Sequence, residues 1–204
     1  MGTRLNAKQA VRVAWSVGGA AALWAATGAA ATAIRAPIVC SRGPGGQHLD
    51  MVVTLPASAA EKATYTVRID GVSSGAISHT GLNYIHDMAT DYALPAGTKY
   101  VDGSARIVPN TGTANVAAGA RVWQDGGKIH LSMPGRVESG SSLTPPSIEF
   151  QLQVTAGAGS VLPVRFVQYR VKANAIFVGD LDTTCDPTPK PFALGSTVVT
   201  AAAP

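Results

Sequence analysis

Hydrophobic and polar residues alternate with a period of two in several short segments of this chain. The clearest segment is 147–154, where Ile, Phe, Leu and Val alternate with Glu and Gln. Segment 64–69 alternates in the same way and places Tyr65, Val67 and Ile69 on one face. Such alternation is typical of antiparallel strands that are buried on one face and solvated on the other. The pattern therefore predicts a half-buried strand at each of these places.

Turn residues separate these strands from their neighbours. The sequence Leu94-Pro95-Ala96-Gly97 predicts a tight turn between an extended segment at 82–94 and a strand at 99–101. Proline fixes φ at an early turn position, and glycine tolerates the positive φ that follows. The sequence at 124–127 contains Asp-Gly, which predicts a hairpin that places Trp123, Ile129 and Leu131 in the core.

Three other segments give weaker predictions. The alternation within 164–171 shifts by one at Phe166-Val167, which predicts a β-bulge. Segment 57–62 is compatible with one helical turn capped by Ser58. The Pro-, Thr- and Ala-rich end of the chain is expected to be loosely ordered, with an edge strand at 196–200.

The spacing of these segments indicates the fold class. Strands recur about every 8–14 residues with turn residues between them, and no long amphipathic helix follows residue 33. This pattern predicts an all-β protein with an immunoglobulin-like antiparallel β-sandwich. A closed barrel fits the same pattern, because sequence alone does not fix the strand order.

The first 33 residues differ in composition from the rest. They contain Arg4, Lys8 and Arg12 but no acidic residue, and residues 13–32 carry no charge. Small residues at 29–31 and 31–33 suit a signal peptidase, so we predict a signal-peptide helix at 1–33. An uncleaved N-terminal anchor is the alternative, because about 20 uncharged residues can span a bilayer. The predicted organisation is then a sandwich domain at 34–186 and a Pro/Ala-rich tail at 187–204.

The basic character of the chain comes from this leader. The whole sequence has 16 Lys and Arg against 12 Asp and Glu, and removing the three leader cations leaves 13 against 12, a net charge of +1. A nearly neutral domain lacks the basic face that phosphate contacts require. We therefore expect no nucleic-acid partner, and membrane contact only through an uncleaved leader.

The two cysteines, Cys40 and Cys185, lie near the two ends of the predicted domain. In an exported protein an even, minimal count favours a disulfide. Two unpaired buried thiols are the alternative. Neither cysteine has a second ligand at metal-site spacing nearby, which argues against a zinc site.

The order of motifs resembles a known family. A strand, the corner Leu94-Pro95-Ala96-Gly97, a hydrophobic pair Tyr100-Val101, Gly103-Ser104, a hairpin and a late strand at 147–155 are similar to the immunoglobulin-like conserved repeat of bacterial surface and secreted proteins. The Ala-rich leader and the two-cysteine frame resemble small exported envelope proteins of high-GC Gram-positive bacteria. The resemblance implies a surface or cell-envelope module without catalysis.

Two polar motifs allow other chemistry. Gly71-Val72-Ser73-Ser74-Gly75 matches the nucleophile elbow of esterases, but the residues after it are poor helix formers and the chain lacks the alternating strands and helices of that fold. His79 and His86, with Asp87 and Asp91, have the ligand types of a metal site. Residues 86 and 87 should point to opposite faces of a strand, which argues against joint ligation.

The remaining polar and aromatic residues have simpler explanations. Asp180 and Asp182 share a strand face and are more consistent with solvated carboxylates than with a calcium site. Eight aromatic residues fall on separate strands, which is typical of core positions. They are Tyr84, Tyr92, Tyr100, Trp123, Phe150, Phe166, Tyr169 and Phe177.

Three functions are compatible with this sequence. The first is an exported, non-enzymatic sandwich that acts in adhesion, assembly or wall association at the cell envelope, with an unidentified envelope or protein partner. The second is a carrier for a lipid or small apolar molecule between the sheets. The third is a secreted hydrolase built around Ser73 or the pair His79 and His86. No catalytic, metal or cofactor residues are assigned under the first hypothesis, and no cofactor is expected.

Overall fold

The computed structural model describes residues 28–43 and 46–203, which form β-strands and one short helical turn. The predicted signal-peptide helix therefore lies outside the described residues, except for its last few positions. Within the described part of the chain, no helix is long and apolar enough to cross a membrane.

The strands in chain order are β1 (Ala29–Cys40), β2 (Gln47–Pro56), β3 (Ser58–Ala60), β4 (Thr64–Gly71), β5 (Leu82–Ala93), β6 (Thr98–Tyr100), β7 (Arg106–Ile107), β8 (Arg121–Asp125), β9 (Lys128–Met133), β10 (Val137–Glu138), β11 (Ile148–Val154), β12 (Val161–Ala175), β13 (Gly179–Pro187) and β14 (Phe192–Thr200). The helical turn α1 (Ala114–Ala117) precedes β8.

The strands form one continuous hydrogen-bonded path that can be divided into two halves. The first half has the order β6-β11-β4-β2-β1, with β7 also beside β11. The second half has the order β13-β12-β5-β9-β8, with β10 on β5 and β14 on β12. The pairing of β1 with β13 joins the two halves. The fold is thus the predicted immunoglobulin-like antiparallel β-sandwich.

The core lies between the two halves. Val67 and Phe150 from the first half and Ile129 and Phe166 from the second are all fully buried in one cluster. The predicted alternation is confirmed in β11, where every second residue from Ile148 is buried. Burying a large apolar side chain contributes roughly 1.5–3 kcal/mol, so these rows supply most of the stabilisation.

The predicted turns and the bulge are also present. Gly97 has φ +85°, and a side chain there would approach the Ala156 Cβ to 2.7 Å. Gly126 and Gly127 both have positive φ and form a two-residue hairpin between β8 and β9. The pairing of β12 with β5 skips Val167, which is the predicted bulge.

Two local predictions are wrong. Residues 58–60 form strand β3 instead of a helical turn, because β14 provides a parallel partner for them. Trp123 is 45% exposed instead of buried. The hairpin places Trp123 opposite His130, so its side chain shares a face with His130 and not with Ile129.

Both boundaries of the predicted sandwich are exceeded by strands. Residues 29–33, placed in the leader by sequence, pair with β2, but all five are exposed, and burial begins at Ile34 and Ala36. Cleavage at either predicted site would therefore leave the core intact. The tail is better ordered than expected, because β14 buries Leu194, Thr197 and Val199.

The disulfide between Cys40 and Cys185 is present. The two residues face each other directly in the pairing of β1 with β13, which is the connection between the two halves. The bond closes a loop of 145 residues. The chain-entropy model assigns such a loop about 5 kcal/mol of stabilisation through the unfolded state.

Truncation tests the contribution of β14. A stop codon after Pro191 removes three buried side chains, and we expect the chain to lose cooperative unfolding at 37 °C in urea titrations followed by tryptophan fluorescence. A stop codon after Thr200 removes only exposed residues among those described, and should leave the midpoint unchanged. An equal effect of both truncations would contradict the buried position of β14.

A four-residue charge network on the outer face of the first half predicts a pH dependence. Glu149 accepts hydrogen bonds from Arg106 at 2.7 Å and from Arg68 at 3.1 Å, and Arg68 also pairs with Asp70. The bonds from Arg106, and next those from Arg68, lower the pKa of Glu149 below its usual value.

Because folding lowers the pKa of Glu149, these bonds stabilise the folded state fully above pH about 4.5, the pKa of an unfolded glutamate. This stabilisation is lost as the pH falls through the pKa that Glu149 has in the folded protein. Glu149→Gln should reduce the free energy of unfolding by about 1 kcal/mol at pH 7 and flatten its decrease below pH 4.5 in urea titrations. The control Glu138→Gln removes an exposed carboxylate and should change the free energy of unfolding by less than about 0.5 kcal/mol. A steep acid dependence retained in Glu149→Gln would contradict this assignment.

Candidate interaction site

Three consecutive apolar side chains are exposed at the end of the long hairpin β12–β13. Ile176, Phe177 and Val178 are 44%, 104% and 66% exposed and form the turn that we call the apolar tip. Single exposed apolar residues are normal on protein surfaces, but a contiguous group marks an interaction site. The apolar tip is therefore the candidate site.

The backbone of the apolar tip is well defined. The Ile176 N–H donates to the Gly81 carbonyl at 2.7 Å, which ties the turn to the start of β5. Phe177 has φ +67°, in the left-handed region that costs a bulky L-residue about 1–2 kcal/mol. Glycine or asparagine would adopt this conformation more easily. An exposed aromatic ring in such a position has a cost for folding, so a role outside folding is the simplest explanation for it.

Polar side chains surround the hairpin just below the apolar tip. The His86 Nδ1 lies 3.3 Å from Asp87 Oδ2, and its Nε2 lies 3.2 Å from Asp180 Oδ2. Asn174 donates to Asp180 at 2.7 Å. That bond, and next the contact with His86, lowers the pKa of Asp180, so this carboxylate is ionised at neutral pH.

The charges of this region are unbalanced. Asp87, Asp180 and the exposed Asp182 contribute three carboxylates, and Lys172 is the cation that lies among them, 3.2 Å from Asp87. The hydrogen bond that Lys172 donates to Asp87, and next the negative charges of Asp87, Asp182 and Asp180, raise the pKa of Lys172 and keep it protonated, so the four side chains sum to −2 (one cation minus three anions). We call these four residues the acidic collar. Its charge would favour a partner with basic groups.

The apolar tip and the chain ends lie at opposite ends of the sandwich. β12 runs from Val161, which faces Val198 of β14, to Ala175 beside the apolar tip. β14 ends at Thr200, beside Ala60 of β3. β1 starts at Ala29, opposite Pro56, two residues before β3. We call this end the base. A leader and any C-terminal continuation would both join the domain at the base.

A second polar cluster lies on the outer face of the second half. The Asp91 side chain is only 8% exposed, and it contacts His130 Nδ1 at 2.8 Å and Arg170 at 3.1 Å. The Trp123 ring stacks on His130 with 5.3 Å between centroids. This cluster covers a buried carboxylate with two side chains, so it stabilises the sheet.

The structure does not bring the predicted metal ligands together. His79 is exposed and contacts the Thr80 carbonyl, His86 is in the collar region, and Asp91 belongs to the cluster with His130. No group of three or more His, Cys, Asp or Glu suited to a metal is found among residues 28–43 and 46–203. Residues 86 and 87 do not point to opposite faces as expected for a regular strand, because Asp87 has φ +47°, and this bend brings its carboxylate near the His86 ring.

The two other predicted sites also have local explanations. Ser73 lies in an exposed loop, where its hydroxyl accepts a bond from the Gly75 N–H, and the helix of a nucleophile elbow does not follow it. The cavity between the sheets, lined by Met51, Tyr92 and Leu131 among others, measures about 30 Å³. One water molecule occupies about this volume in liquid water, so the cavity is too small for a lipid.

The sequence interpretation missed the apolar tip. Phe177 was grouped with the core aromatics, but it is fully exposed. A signal was available in the spacing, because a strand ending near Ala175 and another entering Cys185 require a turn between them. Residues 176–178 lack turn chemistry, so the sequence did not suggest a turn at this place.

Comparisons with known proteins found distant structural similarity alone. No family model and no curated protein matches the chain. Solved structures similar to it include domains D2 and D3 of the major pilin SpaD of Corynebacterium diphtheriae, with 13% identity, a TM-score of 0.37, and 65% of this chain and 48% of that chain covered. A putative membrane-anchored protein of Corynebacterium diphtheriae has 13% identity and a TM-score of 0.41, with 86% and 38% covered. A collagen-binding domain of a Staphylococcus aureus adhesin has 8% identity and a TM-score of 0.33, with 67% and 89% covered. The chain spans less than half the length of the first two.

Substitution of Asp91 tests the role assigned to the second cluster. Asp91→Asn leaves His130 and Arg170 facing a neutral amide, and we expect the free energy of unfolding to fall by about 2 kcal/mol in urea titrations. The control Asp125→Asn removes an exposed carboxylate from β8 and should cost less than about 0.5 kcal/mol. A stable Asp91→Asn protein would show that the cluster is not structural.

Proposed function

We propose that this chain is an exported, non-catalytic β-sandwich module of the cell envelope, which holds the apolar tip away from its attachment point for contact with another protein. The observation that carries the proposal is the exposure of Ile176, Phe177 and Val178 at the end of the sandwich opposite the base. A module attached at the base would present this surface outward. An adhesive or structural role requires such a presented contact.

Several features support an exported location. The Cys40–Cys185 bond is of a kind that persists in oxidising compartments and is rare in the cytosol. The charge pattern of the leader is typical of a signal peptide or an N-terminal anchor. The five residues before Ile34 add no buried side chain, so either form of the leader is compatible with the folded domain.

The packing supports a binding role over a carrier or a hydrolase. The space of about 30 Å³ between the sheets is far below the several hundred Å³ of typical ligand pockets. The buried polar side chain Asp91 is used in a structural cluster. Recognition on such a rigid sandwich usually lies in its exposed loops, and the apolar tip is one.

Cysteine labelling on intact cells tests this function. Phe177→Cys places an exposed thiol at the apolar tip, and the two native cysteines are bonded to each other. We expect a membrane-impermeant maleimide to label this variant on intact cells. Val164→Cys, which is buried, is the matched control and should react only after unfolding. Labelling of Phe177→Cys only after lysis would contradict surface display.

Mass spectrometry of the released protein completes this test. A mass corresponding to cleavage after Ala31 or Ala33 would establish a signal peptide, whereas recovery of the full-length mass from membranes would establish an anchor. Reduction should add two daltons for the disulfide.

A further inference from the structure

A groove runs along the free edge of the second half, between β7 and β8. Its lining includes Ile107, Ala120 and Val122, with the exposed indole of Trp123 at one side, and its volume is about 740 Å³. The groove is largely open to solvent, so it is a shallow surface and not an enclosed pocket. The groove is thus an apolar surface of a size that suits a few large side chains.

The charges beside the groove are basic. Arg121 lines it and is exposed, and Arg106, 71% exposed, precedes Ile107. Glu149 neutralises one of these two guanidinium groups. The rim therefore carries a net charge of about +1, opposite in sign to the acidic collar (two cations minus one anion).

Two strand edges that belong to these surfaces are open. In the two-residue hairpin, Asp125 faces Lys128 as a hydrogen-bonded pair, so the peptide groups of Val122 and Gln124 point away from β9. In the β12–β13 hairpin, β1 borders β13 on the side away from β12 but pairs with it only at residues 185–187. Among the described residues, 179–183 therefore have a strand partner on the β12 side alone. Open edges are templates for pairing with another chain.

We propose that the apolar tip of one copy of this chain docks in the β7–β8 groove of a second copy. This inference rests on the proposed function and names the partner of its contact surface. Phe177 packs against Trp123 and Val122, while the collar carboxylates Asp180 and Asp182 face Arg121. Aromatic pairs at such contacts add to the stabilisation that area burial alone provides.

The charges favour this partner over a lipid bilayer. A collar of net charge −2 is repelled by the anionic surface of a membrane, and the base, not the apolar tip, is the end to which the leader connects. A protein surface that is apolar with a basic rim complements both features. The groove of a second copy has both properties.

The geometry of the contact determines the kind of assembly. The apolar tip and the groove are different surfaces of the same molecule, so the contact is heterologous and each copy can use both surfaces. Such a contact produces chains or rings instead of a closed two-fold dimer. A single hairpin in a groove buries less area than a standard interface, so we expect association in the micromolar to millimolar range.

Sedimentation velocity of the exported protein tests the proposal. We expect the weight-average sedimentation coefficient to rise with concentration beyond that of a dimer. Phe177→Ser and the double variant Arg121→Asp/Trp123→Ala should each weaken association at least tenfold, because each disables one surface. Val39→Ser, which removes an apolar side chain of β1 that is 64% exposed, should associate like the unmodified protein.

Mixing the two variants gives the sharpest result. Phe177→Ser retains a working groove and the double variant retains a working apolar tip, so their mixture should form a one-to-one dimer that does not grow further. Circular dichroism and urea titration of each variant separate lost contacts from lost folding.

Three outcomes would overturn the proposal. They are a monomer at all concentrations up to about 1 mM, an oligomer that is insensitive to Phe177→Ser, and sedimentation with phosphatidylglycerol or phosphatidylcholine vesicles that depends on Phe177 without self-association. Surface labelling at position 177 together with any of these would reject the second copy as the partner and leave the envelope function standing. Absence of surface labelling would reject that function itself.

Discussion

The pairing of β1 with β13 is the constraint on which the rest of the structure depends. It is the connection between the two halves of the hydrogen-bonded path, it involves only three residue pairs, and the Cys40–Cys185 bond closes it. Three backbone pairs alone would be a weak connection. The covalent bond makes it permanent in an oxidising compartment, so the two halves enclose one core and the position of β13 is fixed.

Fixing β13 also determines what the protein presents. β13 and β12 form one long hairpin that ends in the apolar tip. β5 pairs with β12 as far as Ala175, whereas β14 and β1 pair only with the part of the hairpin nearer the base. The exposed Phe177 at positive φ and the acidic collar lie where, among the described residues, β13 has a strand partner on the β12 side alone. A stable lower part and a presented end are the properties expected of a recognition surface on a rigid scaffold.

The sequence predicted those elements whose structure depends on local rules. The alternation of β11, the Gly126-Gly127 hairpin and the bulge at Val167 could all be recognised, because each follows from side-chain periodicity or glycine conformation. β3 could not be recognised, because its structure depends on a parallel partner far along the chain. The apolar tip was not recognised for a related reason. Phe177 is an apolar residue of a kind typical of cores, residues 176–178 lack turn chemistry, and the register of β12 with β13 is what places Phe177 in the turn.

The account is tested most directly by the distance between the apolar tip and the base. Spin labels on Phe177→Cys and Ala202→Cys, measured by pulsed electron resonance in the disulfide-bonded protein, would report it. β12 spans 14 steps from Val161 to Ala175, about 45 Å at 3.3 Å per step. The two labels lie beyond the two ends of this span, so they should be at least about 45 Å apart. A narrow distribution at or above that value is the predicted result. A distance below about 25 Å would place the apolar tip beside the chain ends and contradict the account.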